Sequence, residues 1–222
     1  MKRCLLFLIC LISMLGANAQ QERLTPTSLK ECDPNLVKML LPGDYEFGLL
    51  KEQNIFRVTD GWAYRDTGLS FRYSTMKLTL RTLMDSRTSD EKKVDVKELT
   101  LTKEQADALY SLFTAAVCSS SYLDDCLVLD GDMHTFVAYP YAAHVNPAIE
   151  GSNGDKMREI ASMLYKSIET KDASLIDKNM PEIKELTDKF IALYPCKPTG
   201  CDVMLMRHQR NQVKGKSMGL DF

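Results

Sequence analysis

Three histidines, His134, His144 and His208, are the side chains of this 222-residue chain best placed to move protons or hold a metal near neutral pH. No two have the i, i+4 spacing of a helical H-E-x-x-H pair, and none has a carboxylate at zincin spacing. A histidine base works with a carboxylate within hydrogen-bond reach, and Asp132 stands two residues before His134. His134, His144 and Asp132 are therefore the catalytic candidates, for a hydrolase on peptide or glycan with its cleft beside the 140–154 loop. Beside Phe136 in an alternating run, His134 reads more simply as a structural residue. His144, in the loop, has the better claim to chemistry.

Asp124, Asp125, Asp130 and Asp132 form an acidic cluster whose hard oxygens suit Ca²⁺. The order is not that of an EF-hand, because the glycine and the closing glutamate are misplaced. Turn chemistry explains Asp130 and Asp132 without an ion, so a calcium-stabilised module is an alternative rather than the first reading. The serines at 119–121 lack a G-x-S-x-G elbow, and there is no P-loop and no G-x-G-x-x-G after a strand. Nothing calls for a cofactor.

The first 19 residues read as a secretory signal: Lys2 and Arg3, the run LLFLICLISMLG, then Ala17-Asn18-Ala19 as a small-x-small cleavage site. Ile9 is bulky where lipidation at Cys10 needs a small residue. Later segments are too short for a membrane span. Cleavage leaves 203 residues, with 26 basic against 30 acidic side chains, a balance of −4. That charge supplies no general grip on nucleic acid. A periplasmic or extracellular location follows from the signal.

Export permits disulfides. Five cysteines remain: Cys32, Cys118, Cys126, Cys196 and Cys201. Cys118 closes an amphipathic helix and Cys126 opens the next strand; Cys196 and Cys201 flank the turn-rich Lys-Pro-Thr-Gly. Two local bridges, 118–126 and 196–201, are expected, leaving Cys32 over. Neither pair has repeated C-x-x-C zinc spacing.

The elements that must position these residues centre on 94–139. VDVKELTL reads as a strand. Thr102 and Gln105 form a capping box at the head of a helix whose apolar stripe is Ala106, Leu109, Tyr110, Phe113, Ala116 and Val117. CLVLDGDMHTFVAY then reads as a hairpin. A type II′ turn on Gly131-Asp132 pairs Leu129 with His134 and Leu127 with Phe136, while a turn on Asp130-Gly131 shifts that register.

Before this unit, residues 20–41 form a polar lead-in, partly flexible, with a short helix near Leu36–Leu41. Residues 69–84 alternate with a phase change near Ser74-Thr75, predicting a bulge or two strands, paired antiparallel with the 94–101 run. After it, PYAAHVNPAIEGSNG reads as a long irregular loop. Two helices follow, the first starting near Ser152–Asp155. The second is capped by Asn179 and buries Ile183, Leu186, Thr187, Phe190, Ile191 and Tyr194. Residues 42–195 thus read as one α+β domain, an antiparallel sheet with amphipathic helices packed mainly on one face. Residues 196–222 form a basic extension.

Leu101–Gln105, Leu129–Phe136, Asn146-Pro147 and Met157–Ile168, together with the signal ending ANAQ, resemble small exported domains of unknown function from Bacteroidales. The resemblance covers the central half of the chain. That family has no assigned activity, so it implies no functional residues.

The reading that remains is a non-enzymatic exported domain binding a protein or glycan. Trp62, Tyr64, Tyr141 and His144 are the binding candidates. Trp62, Tyr64, Phe71 and Tyr73 can line a groove, although filling one end of the core is the simpler role for them.

Overall fold

The computed structural model describes residues 23–30, 32–52, 65–84, 93–121, 133–145 and 150–193. They form a seven-stranded antiparallel sheet and five helices: β1 (Thr25–Thr27), α1 (Pro34–Leu40), β2 (Phe47–Glu52), β3 (Arg65–Arg72), β4 (Lys77–Met84), β5 (Lys93–Thr100), α2 (Lys103–Cys118), β6 (Met133–Ala138), β7 (Tyr141–Val145), α3 (Asn153–Thr170), α4 (Ser174–Lys178) and α5 (Met180–Ala192). The strand order is β1-β7-β6-β2-β3-β4-β5, antiparallel throughout. The α+β architecture is as the sequence predicts.

Register explains where the core lies. On one face the rows Tyr141–Ala138–Phe47–Phe71–Leu78–Leu99 and Ala143–Phe136–Leu49–Leu69–Leu80–Lys97 run across six strands. α2 covers these rows at β2, β6 and β7, and α3 covers them at β4 and β5. Phe113 of α2 is fully buried, its ring centroid 4.7 Å from that of Phe47 and 5.5 Å from that of Phe136. Burying such a side chain stabilises the fold by about 2–3 kcal/mol.

The opposite face is smaller. α1 packs its Leu36, Val37, Met39 and Leu40 with Leu50, Leu83, Val137 and Ala142. Asp33 caps α1 by accepting from Asn35 N at 2.9 Å, and Pro34 occupies the first turn, where no N–H is needed. The helix expected near 36–41 is thus present, and the lead-in around it also supplies the sheet's edge strand β1.

The capping box of α2 is complete. Gln105 N donates to Thr102 Oγ1 at 3.2 Å and Thr102 N donates to Gln105 Oε1 at 2.9 Å. The helix is not a single-stripe surface helix, however. Leu112, Thr114, Ala115 and Cys118 are buried too, because α5 packs on α2 away from the sheet.

The phase change near Ser74 is a tight turn between β3 and β4 over 73–76, with Met76 in the left-handed region at φ 54°. α3 begins at Ser152, which accepts from Asp155 N at 3.2 Å. It ends on Lys171 at φ 54°, where Lys171 N donates to Ile168 O and Asp172 N donates to Ser167 O.

Four local expectations change. His134–Ala138 of β6 pair with β2 on one side and β7 on the other, so the expected partners of Leu129 and Leu127, His134 and Phe136, are already paired; residues 127–129 themselves lie outside the described residues. The hairpin is β6–β7, turning at Tyr139-Pro140, a cis peptide. Tyr141–Val145, expected as loop, is a strand: cross-strand pairing with β6 and β1 overrides the weak strand preference of its alanines. Asn179 holds the N-cap position of α5 as expected, but its side chain makes no cap bond there; its Nδ2 donates to Leu175 O at 2.7 Å and closes α4 instead. Ile191 falls one residue beyond the buried stripe, about 100° around the helix from Phe190, and is exposed.

Candidate binding surface

The two catalytic candidates among the described residues, His134 and His144, do not converge. His134 lies in the next row of the α2 face, Val145–His134–Lys51–Thr67–Thr82–Asp95, where the apolar rows give way to polar ones. It is 4% exposed, and its two cross-strand neighbours are Val145 and Lys51, neither of them a carboxylate. His144 is half-buried in β7 and paired with Thr25 and Thr135, which its parity puts on the α1 side of the sheet. The two histidines thus occupy opposite faces, because their ladder positions differ in parity.

Trp62, Tyr64, Asp124, Asp125, Asp130, Asp132, Cys126, Cys196, Cys201, His208 and the 1–19 signal lie outside the described residues. Cys118 is buried in the last position of α2, and Cys32 is buried in the α1-side cluster. Among the described residues, no group of three or more His, Cys, Asp or Glu side chains is arranged to hold a metal. Nor is any helix among them long and apolar enough to cross a membrane.

What the fold does bring together is tyrosine. Tyr45 precedes β2, Tyr73 follows β3, Tyr139 follows β6 and Tyr141 opens β7. In an antiparallel sheet those four positions share one end. Tyr110 of α2 joins them, its ring centroid 5.9 Å from that of Tyr73. Five of the nine tyrosines therefore gather at one end of the sheet.

Glu46 ties these segments to one another. Its N–H donates to Phe71 O at 3.0 Å, its carbonyl accepts from Tyr139 N at 3.3 Å, and its Oε2 accepts from Tyr73 N at 3.1 Å. The Tyr73 hydroxyl in turn donates to Asp107 Oδ1 at 2.9 Å. Burial, followed by that bond and the Asp107 charge, pushes the Tyr73 hydroxyl far above its ordinary range. Burial also raises Tyr110, against a smaller lowering effect of the nearby Thr114 hydroxyl and with the Glu46 charge adding to the rise. Tyr45 is pushed up to about 12, by burial first and then by Tyr139. All three hydroxyls thus stay protonated at neutral pH and remain hydrogen-bond donors.

The inner members of this group brace the outer ones. Tyr45 is buried and meets Tyr139 edge-on, with centroids 6.1 Å apart and planes at 72°. Tyr139 is 62% exposed and Tyr141 39%, with exposed Pro140 between them. Tyr141 is one of the binding candidates read from the sequence. Tyr45 and Tyr139 are not, although a Tyr-Pro-Tyr sequence after an apolar strand marks an aromatic turn that local pattern can reveal. This aromatic turn can stack on a flat apolar surface while its hydroxyls bond to polar groups. Phe71 and Tyr73, weighed as groove residues, pack in and against the core.

No family model, curated protein or solved structure matches this chain.

Proposed function

We propose that this is an exported, non-enzymatic binding domain that holds a protein or glycan partner against the Tyr139-Pro140-Tyr141 turn. The signal-like first 19 residues support export. One observation carries the binding reading. Only four large hydrophobic side chains are exposed among the described residues, and two of them, Tyr139 and Tyr141, share a single turn. Tyrosine suits such a surface because it offers a large amphipathic contact area with few torsions to immobilise. Tyr45 and Glu46 hold the turn in place before a ligand arrives, which lowers the ordering cost of binding.

The test compares the purified chain with a Tyr139→Ala/Tyr141→Ala variant, on a glycan array and in pull-downs from cell-surface extracts. The expected result is a ligand retained by the parent and bound at least about tenfold more weakly by the variant. Tyr139 is mostly exposed and Tyr141 lies at the rim of the core face, so the melting temperature should fall only modestly. A ligand held equally well by both proteins overturns the assignment of the turn.

A further inference from the structure

The two outer edges of the sheet differ in character. β1 is three residues long and carries Pro26, which has no N–H to donate. β5 is eight residues long, and no strand among the described residues pairs with its outer edge. Leu101 N donates to Met76 O at 2.9 Å, so in the unbroken β4–β5 register the odd-numbered residues of β5 bond to β4. Val94, Val96 and Glu98 consequently turn their N–H and C=O groups outward.

Lys93, Asp95, Val96, Lys97 and Glu98 are exposed, Val96 to 49%. Charges on an edge strand ordinarily discourage pairing with stray strands. Here the signs are antisymmetric about Val96, with Asp95 before it and Lys97 after it, 3.9 Å apart within the chain. We propose that β5 is a self-association edge. Two copies pair their β5 strands antiparallel about a two-fold axis through Val96, making one continuous sheet.

In that register Asp95 of each copy opposes Lys97 of the other, so the attraction is made twice. Val96 meets Val96, and Val94 lies opposite Glu98, whose carboxylate stays with Lys77 of its own chain, 2.6 Å away. The pairs 94–98, 96–96 and 98–94 all use outward-facing backbone groups, so each can exchange both ladder hydrogen bonds.

Neighbouring registers fail on charge or length. An axis at Asp95 or Lys97 sets like charges against each other, and one at Glu98 opposes two glutamates. An axis at Val94 pairs only Lys93–Asp95 of β5, three residues against the seven, Lys93–Leu99, that pair about Val96. The assembly then closes at two copies, because the edges it leaves are the short, proline-bearing β1 strands.

Sedimentation velocity of the purified chain from micromolar to millimolar concentration should show a monomer–dimer equilibrium. Asp95→Lys and Lys97→Asp should each weaken it by about tenfold or more, because like charges then face each other twice. Asp95→Lys/Lys97→Asp together should restore it to within about threefold of the parent. Val96→Pro removes an outward N–H without touching the β4 ladder, and should abolish the dimer while leaving the circular dichroism unchanged. A chain that stays monomeric throughout, or a double swap as weak as its single members, overturns the proposal. If the proline variant does not fold, the charge swap decides alone.

Discussion

The Tyr73 hydroxyl donates a 2.9 Å hydrogen bond to Asp107 Oδ1, which fastens the β3–β4 turn to α2. That bond exists only while the hydroxyl keeps its proton, so the tyrosine end of the sheet carries an alkaline limit.

Tyr73 and Tyr45 ionise well above the ordinary tyrosine value of 10, Tyr45 at about 12. Above pH 10 the unfolded chain releases protons that the folded chain still holds. Proton binding then favours the folded state less with each rise in pH, so stability falls through that window and is unaffected below it. A pH titration followed by tyrosinate absorbance and circular dichroism should show a late group of tyrosines ionising together with loss of structure. Ionisation of all tyrosines near pH 10 with the fold intact counts against the bonded arrangement.

Gln105 has more partners than a capping box needs. Besides its reciprocal bonds with Thr102, its Nε2 donates to Asp177 Oδ1 at 2.7 Å and to Ala173 O at 3.2 Å, and the residue is 1% exposed. Gln105→Glu keeps a side chain able to cap the helix, yet it removes both donations and sets a carboxylate against Asp177. The expected loss is about 2–4 kcal/mol. Urea denaturation should place this variant below Gln105→Ala, which leaves no misplaced charge. The reverse order would mean that the box alone matters.

Gly68 sits where β3 meets the end of α1. A Cβ there would lie 2.5 Å from Leu40 O and 2.6 Å from Leu40 Cβ, and backbone cannot swing aside as a long side chain can. Gly68→Ala should therefore push α1 off its face of the sheet, at a cost of about 1–3 kcal/mol. Thermal melts measure the cost, and hydrogen exchange should show α1 amides exchanging faster than those of α2. Equal protection of the two helices would show that the sheet absorbs the clash instead.

Some of this molecule is legible without coordinates. The Thr102/Gln105 box and the Ser152 start of α3 depend on residues within a few positions of one another, where capping acts, and β4 and β5 are neighbouring alternating runs in the chain. Tyr141–Val145 was opaque for the opposite reason. Two alanines and a histidine favour no strand, and only the edges offered by β6 and β1 make one. The same holds for the hairpin. A Gly-Asp turn was good local chemistry, but both edges of β6 are taken by β2 and β7, strands distant or unrecognised in sequence.

The candidate surface divides along the same line. Sequence alone established the α+β class, the capped central helix, the apolar stripes and the lack of a readable catalytic motif, because each is a property of local spacing. Tertiary structure decided that His134 and His144 face opposite ways, that five tyrosines share one end of the sheet, and that Val96 stands on an edge that no described strand pairs with. Those facts are set by register and strand order, and a one-residue slip in register moves every side chain of a strand to the other face.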